Sequence, residues 1–153
     1  MSPALRNATV SDARAMAEAV IAQPLLQRYA VSVDGLERTL SGAMERQEEL
    51  LLVEKSGQVA GFAWFLLTGT FGLGGYLRLI ALRPGEERSG LGAQLLEEVE
   101  RRVAKHSRAL FLLVSHWNES ARRFYSRRGY EEVGKLPALL LPDTDEMIYC
   151  KRF

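Results

Sequence analysis

Cysteine, histidine and net charge are all scarce in this sequence of 153 residues, and each shortage excludes a class of protein. The single cysteine, Cys150, cannot form an intrachain disulfide, which fits a reducing compartment. Twenty basic and 19 acidic side chains leave a formal net charge of +1, without the basic excess of a typical nucleic-acid-binding protein. No cluster of histidine, cysteine and acidic residues has metal-ligand spacing. We therefore expect no disulfide scaffold, no nucleic-acid partner and no metal.

Long apolar runs are missing as well. None approaches the roughly 18 residues that a membrane-spanning helix requires. Charged residues among the first 20, from Arg6 to Glu18, interrupt any apolar stretch that could serve as a secretory signal. At 47% apolar and 25% charged, the composition is that of an ordinary globular protein. We expect a single domain over residues 1–153, located in the cytoplasm and without a membrane partner, and a homodimer stays open.

Hydrophobic periodicity predicts an α/β domain with a mixed sheet of about seven strands and four helices. Turn residues bound each apolar run, and Ser11 is the expected N-cap of the first helix. Residues 68–75 and 136–145 read as loops. Strands are predicted over 4–8, 49–54, 59–67, 76–82, 109–114, 130–135 and 146–152, and helices over 9–20, 33–47, 91–103 and 118–128.

The stretch PGEERSGLGAQLL, residues 84–96, joins a predicted strand to an amphipathic helix. A helix N-terminus leaves about four amide groups unpaired and favours an anion. Gly90 and Gly92 would let a ligand approach the backbone closely and allow a positive φ. The pattern lacks the Lys-Ser/Thr ending of a P-loop and the three-glycine spacing of a dinucleotide site. Two interpretations remain: a phosphate cradle, or a plain turn capped by Ser89.

Two motifs in order resemble those of the GNAT superfamily of acetyl-CoA-dependent N-acetyltransferases. The first is the strand and glycine-containing turn IALRPGEERSGLGA, residues 80–93. The second follows the buried strand at 109–114 and consists of Asn118, Ala121, the pair Phe124–Tyr125, Gly129 and Tyr130. The order of strands and helices is also similar to that of the family. The resemblance implies a mostly antiparallel sheet that is splayed between its fourth and fifth strands.

The resemblance further implies acetyl-CoA as co-substrate and a primary amine as acceptor, either a small molecule or a peptide N-terminus. Tyr125 would be the general acid, and Asn118 would bond the pantetheine arm. The other implied cofactor-binding residues offer backbone groups to pantetheine or pyrophosphate: Ile80, Ala81, Leu82, Arg88, Ser89, Gly90, Leu91, Gly92 and Ala93. The basic helix face formed by Arg122, Arg123, Arg127 and Arg128 either meets the 3′-phosphate or is simply solvated.

Two positions depart from the family pattern. Glu87 stands where the first motif has Arg or Gln, and we expect its side chain to point to solvent. Leu113 occupies the position at which related ribosomal-protein alanine acetyltransferases carry a carboxylate base. The sequence therefore predicts an acceptor amine of low pKa that needs little help from the protein, with His116 and Glu146 as the first alternative bases to mutate. The loop 136–145 and the residue after it carry three acids, Asp143, Asp145 and Glu146. This acidic loop either borders the acceptor site or is an ordinary surface loop.

Other functions remain open at this point. A non-catalytic acyl-CoA-binding or regulatory module could share the same fold, because the expected base is missing. A nucleotide-binding protein could use the 84–96 turn instead. Neither the acceptor nor the length of the acyl group follows from the sequence.

Overall fold

The computed structural model describes residues 2–153. Its strands form one seven-stranded sheet in the order β1-β2-β3-β4-β5-β7-β6, with β4 and β5 parallel and the other described pairs antiparallel. The predicted α/β class and mixed, mostly antiparallel sheet are confirmed. The elements are β1 (Ala4–Asn7), α1 (Ala13–Val20), α2 (Pro24–Arg28), α3 (Val33–Glu45), β2 (Glu49–Lys55), β3 (Gln58–Thr70), β4 (Gly74–Leu82), α4 (Leu91–Val103), β5 (Ala109–Ser115), α5 (Glu119–Ser126), β6 (Glu131–Leu141) and β7 (Thr144–Arg152).

The described residues group into two compact units. The first unit contains the chain up to Phe65 together with Leu79–Glu100, and the second contains Leu66–Arg78 together with Arg101–Phe153. In the first unit, apolar side chains of α1 and α3 pack against β2 and β3, and Met16, Leu40 and Phe62 are fully buried. In the second unit, Leu110 and Leu112 of β5 are buried, whereas Phe111 and Leu113 on the other face are only partly buried, so the burial on both faces that the continuous apolar run predicts is met in part.

The β2–β3 hairpin is closed by the two residues Ser56 and Gly57. Both have positive φ, 54° and 75° respectively. Two-residue hairpin turns with positive φ at both positions match the right-handed twist of the flanking strands. The predicted order of strand, turn and strand is therefore confirmed. Of the two turn residues, Gly57 adopts a positive φ without steric strain, because it has no Cβ.

β4, α4 and β5 form the predicted parallel βαβ unit. β4 and β5 pair at only three positions, from Gly75 opposite Leu110 to Leu77 opposite Leu112. Both strands continue beyond this pairing, β4 to Leu82 and β5 to Ser115. On α4, the leucines and valines at intervals of four are buried, as the amphipathic pattern predicts.

The N-terminal helical region differs from its prediction in two ways. Ser11 is not an N-cap, because residues 10–12 form a 3₁₀ turn and α1 begins only at Ala13. In that turn the Asp12 carboxylate accepts hydrogen bonds from the amide (2.7 Å) and hydroxyl (3.1 Å) of Thr9. A fifth helix, α2, was not predicted, because five residues opening on a proline leave no periodic signal.

Both predicted loops turn out to be hairpins. Residues 68–75 belong mostly to β3 and β4, with a turn at 71–73. Residues 136–145 are taken up by the ends of β6 and β7, and Leu141 pairs with Thr144 across the turn. Pro137 is tolerated within β6 because this strand is the last in the sheet order, where a missing amide donor breaks no ladder. The irregular register between Leu136 and Leu141 also relaxes the pairing there.

A substitution at Gly74 would test how closely β4 and β5 approach each other. A Cβ on Gly74 would lie 2.5 Å from the Ala109 carbonyl oxygen and 2.9 Å from the Phe111 ring. We expect Gly74→Ala to lower the free energy of unfolding by about 1–3 kcal/mol, as overpacking does. Urea denaturation followed by circular dichroism measures this.

The matched control is Gly42→Ala in α3. There the nearest atom to a new Cβ is the flexible end of Arg46, at 3.2 Å. This variant should gain about 0.5–1 kcal/mol, since alanine favours a helix interior over glycine. Equal stability of the two variants would contradict the close approach.

Candidate active site

The turn between β4 and α4 is fixed by Glu86. Its carboxylate accepts hydrogen bonds from Lys55 Nζ (3.0 and 3.2 Å) and Arg83 Nη2 (3.2 Å). The hydrogen bond from Lys55 is the main reason why the pKa of Glu86 is lowered from its usual value of 4.5. The Glu86 carbonyl also accepts from the Ser89 hydroxyl at 2.6 Å. The charge of Glu86 is therefore compensated within the turn and its neighbouring strand.

Glu87 is exposed, as expected, but its carboxylate is hydrogen-bonded within the protein. One of its carboxylate oxygens accepts from the Gly85 amide at 2.8 Å, and the other accepts from Gln23 Nε2 at 3.3 Å. Its own backbone amide and the Gln23 side chain are the leading causes that lower the pKa of Glu87. The carboxylate thus folds back on the start of the turn instead of onto the helix that follows.

The N-terminus of α4 keeps several backbone donors open. Within residues 2–153, the amides of Arg88, Gly90, Gly92 and Ala93 donate no hydrogen bond to another part of the chain. Ser89 Oγ lies 3.4 Å from the Leu91 amide, too far to satisfy that group well. The alternative of a turn capped by Ser89 therefore accounts for little of the unsatisfied hydrogen bonding. Open amides at a helix N-terminus are suited to an anion.

Of the two glycines at this helix start, only Gly90 uses its conformational freedom. Its φ is +85°, and a Cβ built on it would meet nothing within 4 Å. Gly92 lies inside α4 and has no positive φ. Arg88 is exposed and forms no ion pair within the described chain. The backbone around Gly90 is thus open to a ligand, with one uncommitted cation beside it.

The last residues of β4 present their peptide groups to alternate sides of the strand. The Arg83 amide donates to the β3 backbone at 2.8 Å, and the Ala81 carbonyl also faces β3. Ile80 and Leu82 consequently direct their peptide groups away from β3. The Leu82 carbonyl accepts a hydrogen bond from Gln23 Nε2 at 2.7 Å. Of the three implied pantetheine contacts, Ile80 and Leu82 are better oriented than Ala81.

In the second unit, Asn118 caps α5. Its side-chain oxygen accepts from the Ala121 amide at 3.2 Å, as predicted. Its backbone amide donates to the Ser115 carbonyl at 2.9 Å, which ties the cap to the end of β5. The Asn118 Nδ2 group donates no hydrogen bond to any residue that the structure describes. Capping and ligand binding can therefore use different atoms of the same side chain.

Tyr125 lies in an aromatic cluster on α5 and is only 6% exposed. Its ring makes edge-to-face contacts with Phe124 (centroids 5.1 Å apart) and Tyr130 (5.5 Å). Burial raises the pKa of Tyr125 well above its usual value of 10. Its hydroxyl has no hydrogen-bond partner in the described part of the chain. The phenol is thus kept protonated, and its donor is uncommitted.

The basic face of α5 is largely committed to the protein itself. Arg122 donates to the Tyr149 hydroxyl (3.1 Å) and to Glu132 (2.9 Å). The Arg128 guanidinium lies 3.9 Å from the centre of the Phe124 ring. These contacts favour a structural role for half of the four arginines that the sequence singled out.

His116 is a poor candidate for a base. Its Nδ1 accepts a hydrogen bond from the Asp145 amide at 3.1 Å, and its own amide donates to the Asp145 carbonyl at 2.9 Å. Asp145 in turn accepts from the Ala138 amide at 3.1 Å. This network joins the end of β5 to the β6–β7 hairpin. One ring nitrogen of His116, Nδ1, is therefore used in a structural hydrogen bond.

Glu146 behaves unlike the other acids of the predicted acidic loop. Asp143 lies in the hairpin turn and is exposed, and Asp145 on β7 is partly buried, whereas Glu146, the next residue of β7, is only 5% exposed. Its carboxylate oxygens lie 2.9 and 3.3 Å from the Ser115 hydroxyl. The three acids therefore do not form one exposed acidic edge. Sequence reasoning missed the Ser115–Glu146 pair, since the only available signal was the alternation along β7.

The short parallel β4–β5 pairing and the open helix N-terminus after β4 agree with the acetyltransferase resemblance of the two sequence motifs. The acetyltransferase (GNAT) family model matches residues 17–130, and the chain belongs to this family. Over 153 residues it is 30% identical to YhfO of Bacillus subtilis (strain 168), an uncharacterized N-acetyltransferase, with 95% of each chain covered.

Solved structures share the fold. An acetyltransferase of the GNAT family from Desulfovibrio desulfuricans superposes with a TM-score of 0.83 at 24% identity, covering 99% of each chain. The PaiA N-acetyltransferase of Thermoplasma acidophilum, solved in complex with coenzyme A, gives 0.77 at 16% identity, covering 100% of each chain. The protein is thus an acyltransferase enzyme that uses acetyl-CoA.

Two further findings concern the described residues alone. No group of three or more histidine, cysteine, aspartate or glutamate side chains in 2–153 is arranged to hold a metal ion. Over the same residues, no helix has the length and apolar character needed to cross a bilayer.

The Glu86 cluster predicts a pH-dependent stability. Because the pKa of Glu86 is lowered in the folded state, its ion pairs stabilise the fold above the unfolded value of about 4.5 and are lost as the pH falls below it. Glu86→Gln should therefore lower the melting temperature at pH 7, and the difference from the wild type should shrink at pH 3–4. Thermal unfolding at several pH values measures this.

Glu97→Gln on the exposed side of α4 removes the same charge and is the control. It should leave the melting temperature unchanged at both pH values. A Glu86→Gln deficit that persists undiminished below pH 4 would argue against a role for the ion pairs.

Proposed function

We propose that this enzyme transfers the acetyl group of acetyl-CoA to a primary amine, either a peptide N-terminus or an amino-bearing small molecule. The observation that carries the proposal is the set of open amides at the start of α4, next to Gly90. These donors fit the pyrophosphate of the co-substrate, which supplies the acetyl group as a thioester. A screen of amines, peptides and antibiotics for CoA release in the presence of acetyl-CoA tests the activity.

The backbone from Arg88 to Ala93, including Ser89 and Leu91, would hold the pyrophosphate. The helix dipole and several N–H groups converge on an anion at such a site. Arg88 would add one charged contact from an exposed position. Glu87 does not oppose the anion at close range, since its carboxylate is directed to the Gly85 amide.

The pantetheine arm would be held by backbone groups and by one side chain. Ile80 and Leu82 offer peptide groups on the side of β4 that faces away from β3, while Ala81 contributes mainly to the strand. Asn118 would contribute its Nδ2 donor, because its side-chain oxygen is used to cap α5. Contacts of this kind fix the position of the thioester without taking part in bond changes.

Tyr125 would donate its hydroxyl proton toward the sulfur that leaves. A CoA thiolate has a pKa of about 8.5, so full transfer from a phenol of pKa 10 or above costs at least about 2 kcal/mol. The raised pKa of Tyr125 makes a strong hydrogen bond in the transition state its main contribution. Bulk water then supplies the proton that the released thiolate keeps.

The acceptor must lose a proton before or during its attack. At pH 7, deprotonating an amine of pKa about 8 costs about 1.4 kcal/mol, whereas a lysine side chain of pKa 10.4 costs about 4.6 kcal/mol. With Leu113 at the expected position of a base, an acceptor of low pKa demands the least from the protein. This favours an α-amine or a comparable small molecule over an internal lysine.

The pyrophosphate cradle makes a prediction about CoA binding. Gly90→Val should weaken CoA affinity by at least about tenfold, because the new side chain occupies the approach to the amides and strains a φ of +85°. Arg88→Ala should cost less than about 2 kcal/mol, as loss of one partly solvated charged contact does. Isothermal calorimetry with CoA measures both affinities.

Gly85→Val is the matched control, since Gly85 also has a positive φ (97°) but belongs to the start of the turn. It should strain the backbone similarly and keep most of the CoA affinity. If Gly90→Val binds CoA as tightly as Gly85→Val does, the amides around Gly90 do not hold the pyrophosphate.

Tyr125→Phe makes a second prediction. It should lower kcat by about 100-fold, the effect of removing one transition-state donor, and leave the Kd of CoA nearly unchanged. Tyr130→Phe removes an oxygen from the neighbouring ring of the same cluster and should leave kcat unchanged. Steady-state kinetics with an amine found in the screen measures kcat. Equal kcat values for the two variants would exclude Tyr125 as the donor.

A further inference from the structure

Glu146 is a buried acid that the proposed chemistry has not yet used. It lies in the second unit, near the start of β7 and opposite the last residue of β5. In the β5–β7 ladder, Ser115 is directly opposite Glu146 and Leu113 is opposite Ile148. Directly opposed residues place their side chains on the same face of a sheet. Glu146 therefore shares a face with Ser115, Leu113 and Ile148.

The surroundings of Glu146 on this face are mostly apolar. Tyr76 of β4 pairs with Phe111, which lies four residues before Ser115 and so on the same face. Burial is the main cause that raises the pKa of Tyr76, and the charge of Glu146 raises it further. Tyr76, Leu113 and Ile148 are each only partly buried, so this face is accessible from solvent next to a carboxylate that is itself 5% exposed.

Glu146 is also connected to the region that would hold the thioester. Its carboxylate accepts from the Ser115 hydroxyl, and the Ser115 carbonyl accepts from the Asn118 amide at 2.9 Å. Ser115 of β5 thus links Glu146 to Asn118, the N-cap of α5. Tyr125 lies further along the same helix. An amine that reaches a thioester held by Asn118 approaches the end of β5, where Glu146 lies.

We propose that Glu146 is the group that receives the acceptor amine and takes its proton, with Ser115 as a positioning residue for the carboxylate. This inference rests on the proposed function and names the acceptor more closely, as an amine that arrives as a cation. An apolar face strengthens the attraction between an ammonium group and a carboxylate. The base that is missing at Leu113 on β5 is supplied from the adjacent strand, β7.

The proposed step is balanced. The arriving ammonium group first gives one proton through Glu146 to water, which frees the nitrogen lone pair. The nitrogen then forms a bond to the acetyl carbon, and a second proton moves from it to a Glu146 oxygen. The bond from the acetyl carbon to sulfur breaks, and the sulfur accepts the hydrogen bond from Tyr125. Glu146 then releases its proton to water, and the thiolate is protonated from water, so no further reactant is required.

The test compares two small nucleophiles at pH 7 by CoA release from acetyl-CoA, after subtraction of the uncatalysed rate. Ethylamine is almost entirely cationic at this pH and needs a base, whereas hydroxylamine is largely neutral and needs none. Glu146→Gln keeps an acceptor for the Ser115 hydroxyl and so preserves the local packing. We expect it to lower the ethylamine rate by about 100-fold or more, and to change the hydroxylamine rate by less than about threefold.

Three further variants sharpen the comparison. Glu131→Gln removes an exposed carboxylate on the neighbouring strand β6 and should change neither rate. Glu146→Asp keeps the charge and should retain at least tenfold more ethylamine activity than Glu146→Gln. Ser115→Ala should lower the ethylamine rate selectively and by less. If Glu146→Gln fails to fold, the ethylamine rates of Glu146→Asp and Ser115→Ala still test the role of Glu146.

Each outcome separates the two proposals. Equal rates of wild type and Glu146→Gln with ethylamine would overturn the role of Glu146 and leave acetyl transfer intact. An equal loss with both nucleophiles, at unchanged CoA affinity, would also overturn it, because the carboxylate would then act on something other than the amine proton. A wild-type enzyme that binds CoA but releases none with these two nucleophiles or with any acceptor of the amine and peptide screen would instead contradict the proposed function.

Discussion

The proposed cofactor site depends on where two carboxylates are held in the turn before α4. Glu86 and Glu87 lie within a few residues of open backbone donors, and either could occupy those donors and repel a phosphate. Lys55 and Arg83 donate hydrogen bonds to the Glu86 carboxylate, while the Gly85 amide and the Gln23 side chain donate to that of Glu87. The helix N-terminus is left with unsatisfied amides because its nearest anions are bonded elsewhere.

Much of the fold follows from the sequence because its signals are local. The apolar period of four in α4, the cap at Asn118 and the positive φ of Gly129 (91°) depend only on nearby residues. The prediction over 136–145 was wrong for the opposite reason. Two prolines and two aspartates indicate a loop, and only the position of β6 as the last strand of the sheet permits Pro137 in a hairpin. The sheet order is a non-local property that composition does not reveal.

The same limit applies to the candidate site. The residues of the first motif and the α5 cap could be named through their resemblance to a family pattern, since each group lies on a single turn or helix. Ser115 and Glu146 are 31 positions apart and meet only through the register of β5 and β7. A shift of one residue in that register would turn Glu146 to the other face. The absence of a carboxylate at position 113 was visible in the sequence, whereas a replacement on an adjacent strand was not.

The two faces of the second unit separate the proton transfers of the proposed reaction. Arg122 of α5 bonds the Tyr149 hydroxyl, so α5 and its Tyr125 lie on the Tyr149 side of β7. Glu146 is three residues away along the strand and therefore on the opposite side. The donor to the leaving sulfur and the proposed acceptor from the amine thus reach the end of β5 from different faces. Because burial disfavours the phenolate of Tyr125, that side can stabilise the sulfur but cannot take the proton of an amine. A separate base is consequently needed for any acceptor that arrives charged, and the sheet register provides one on the face where such an amine would enter.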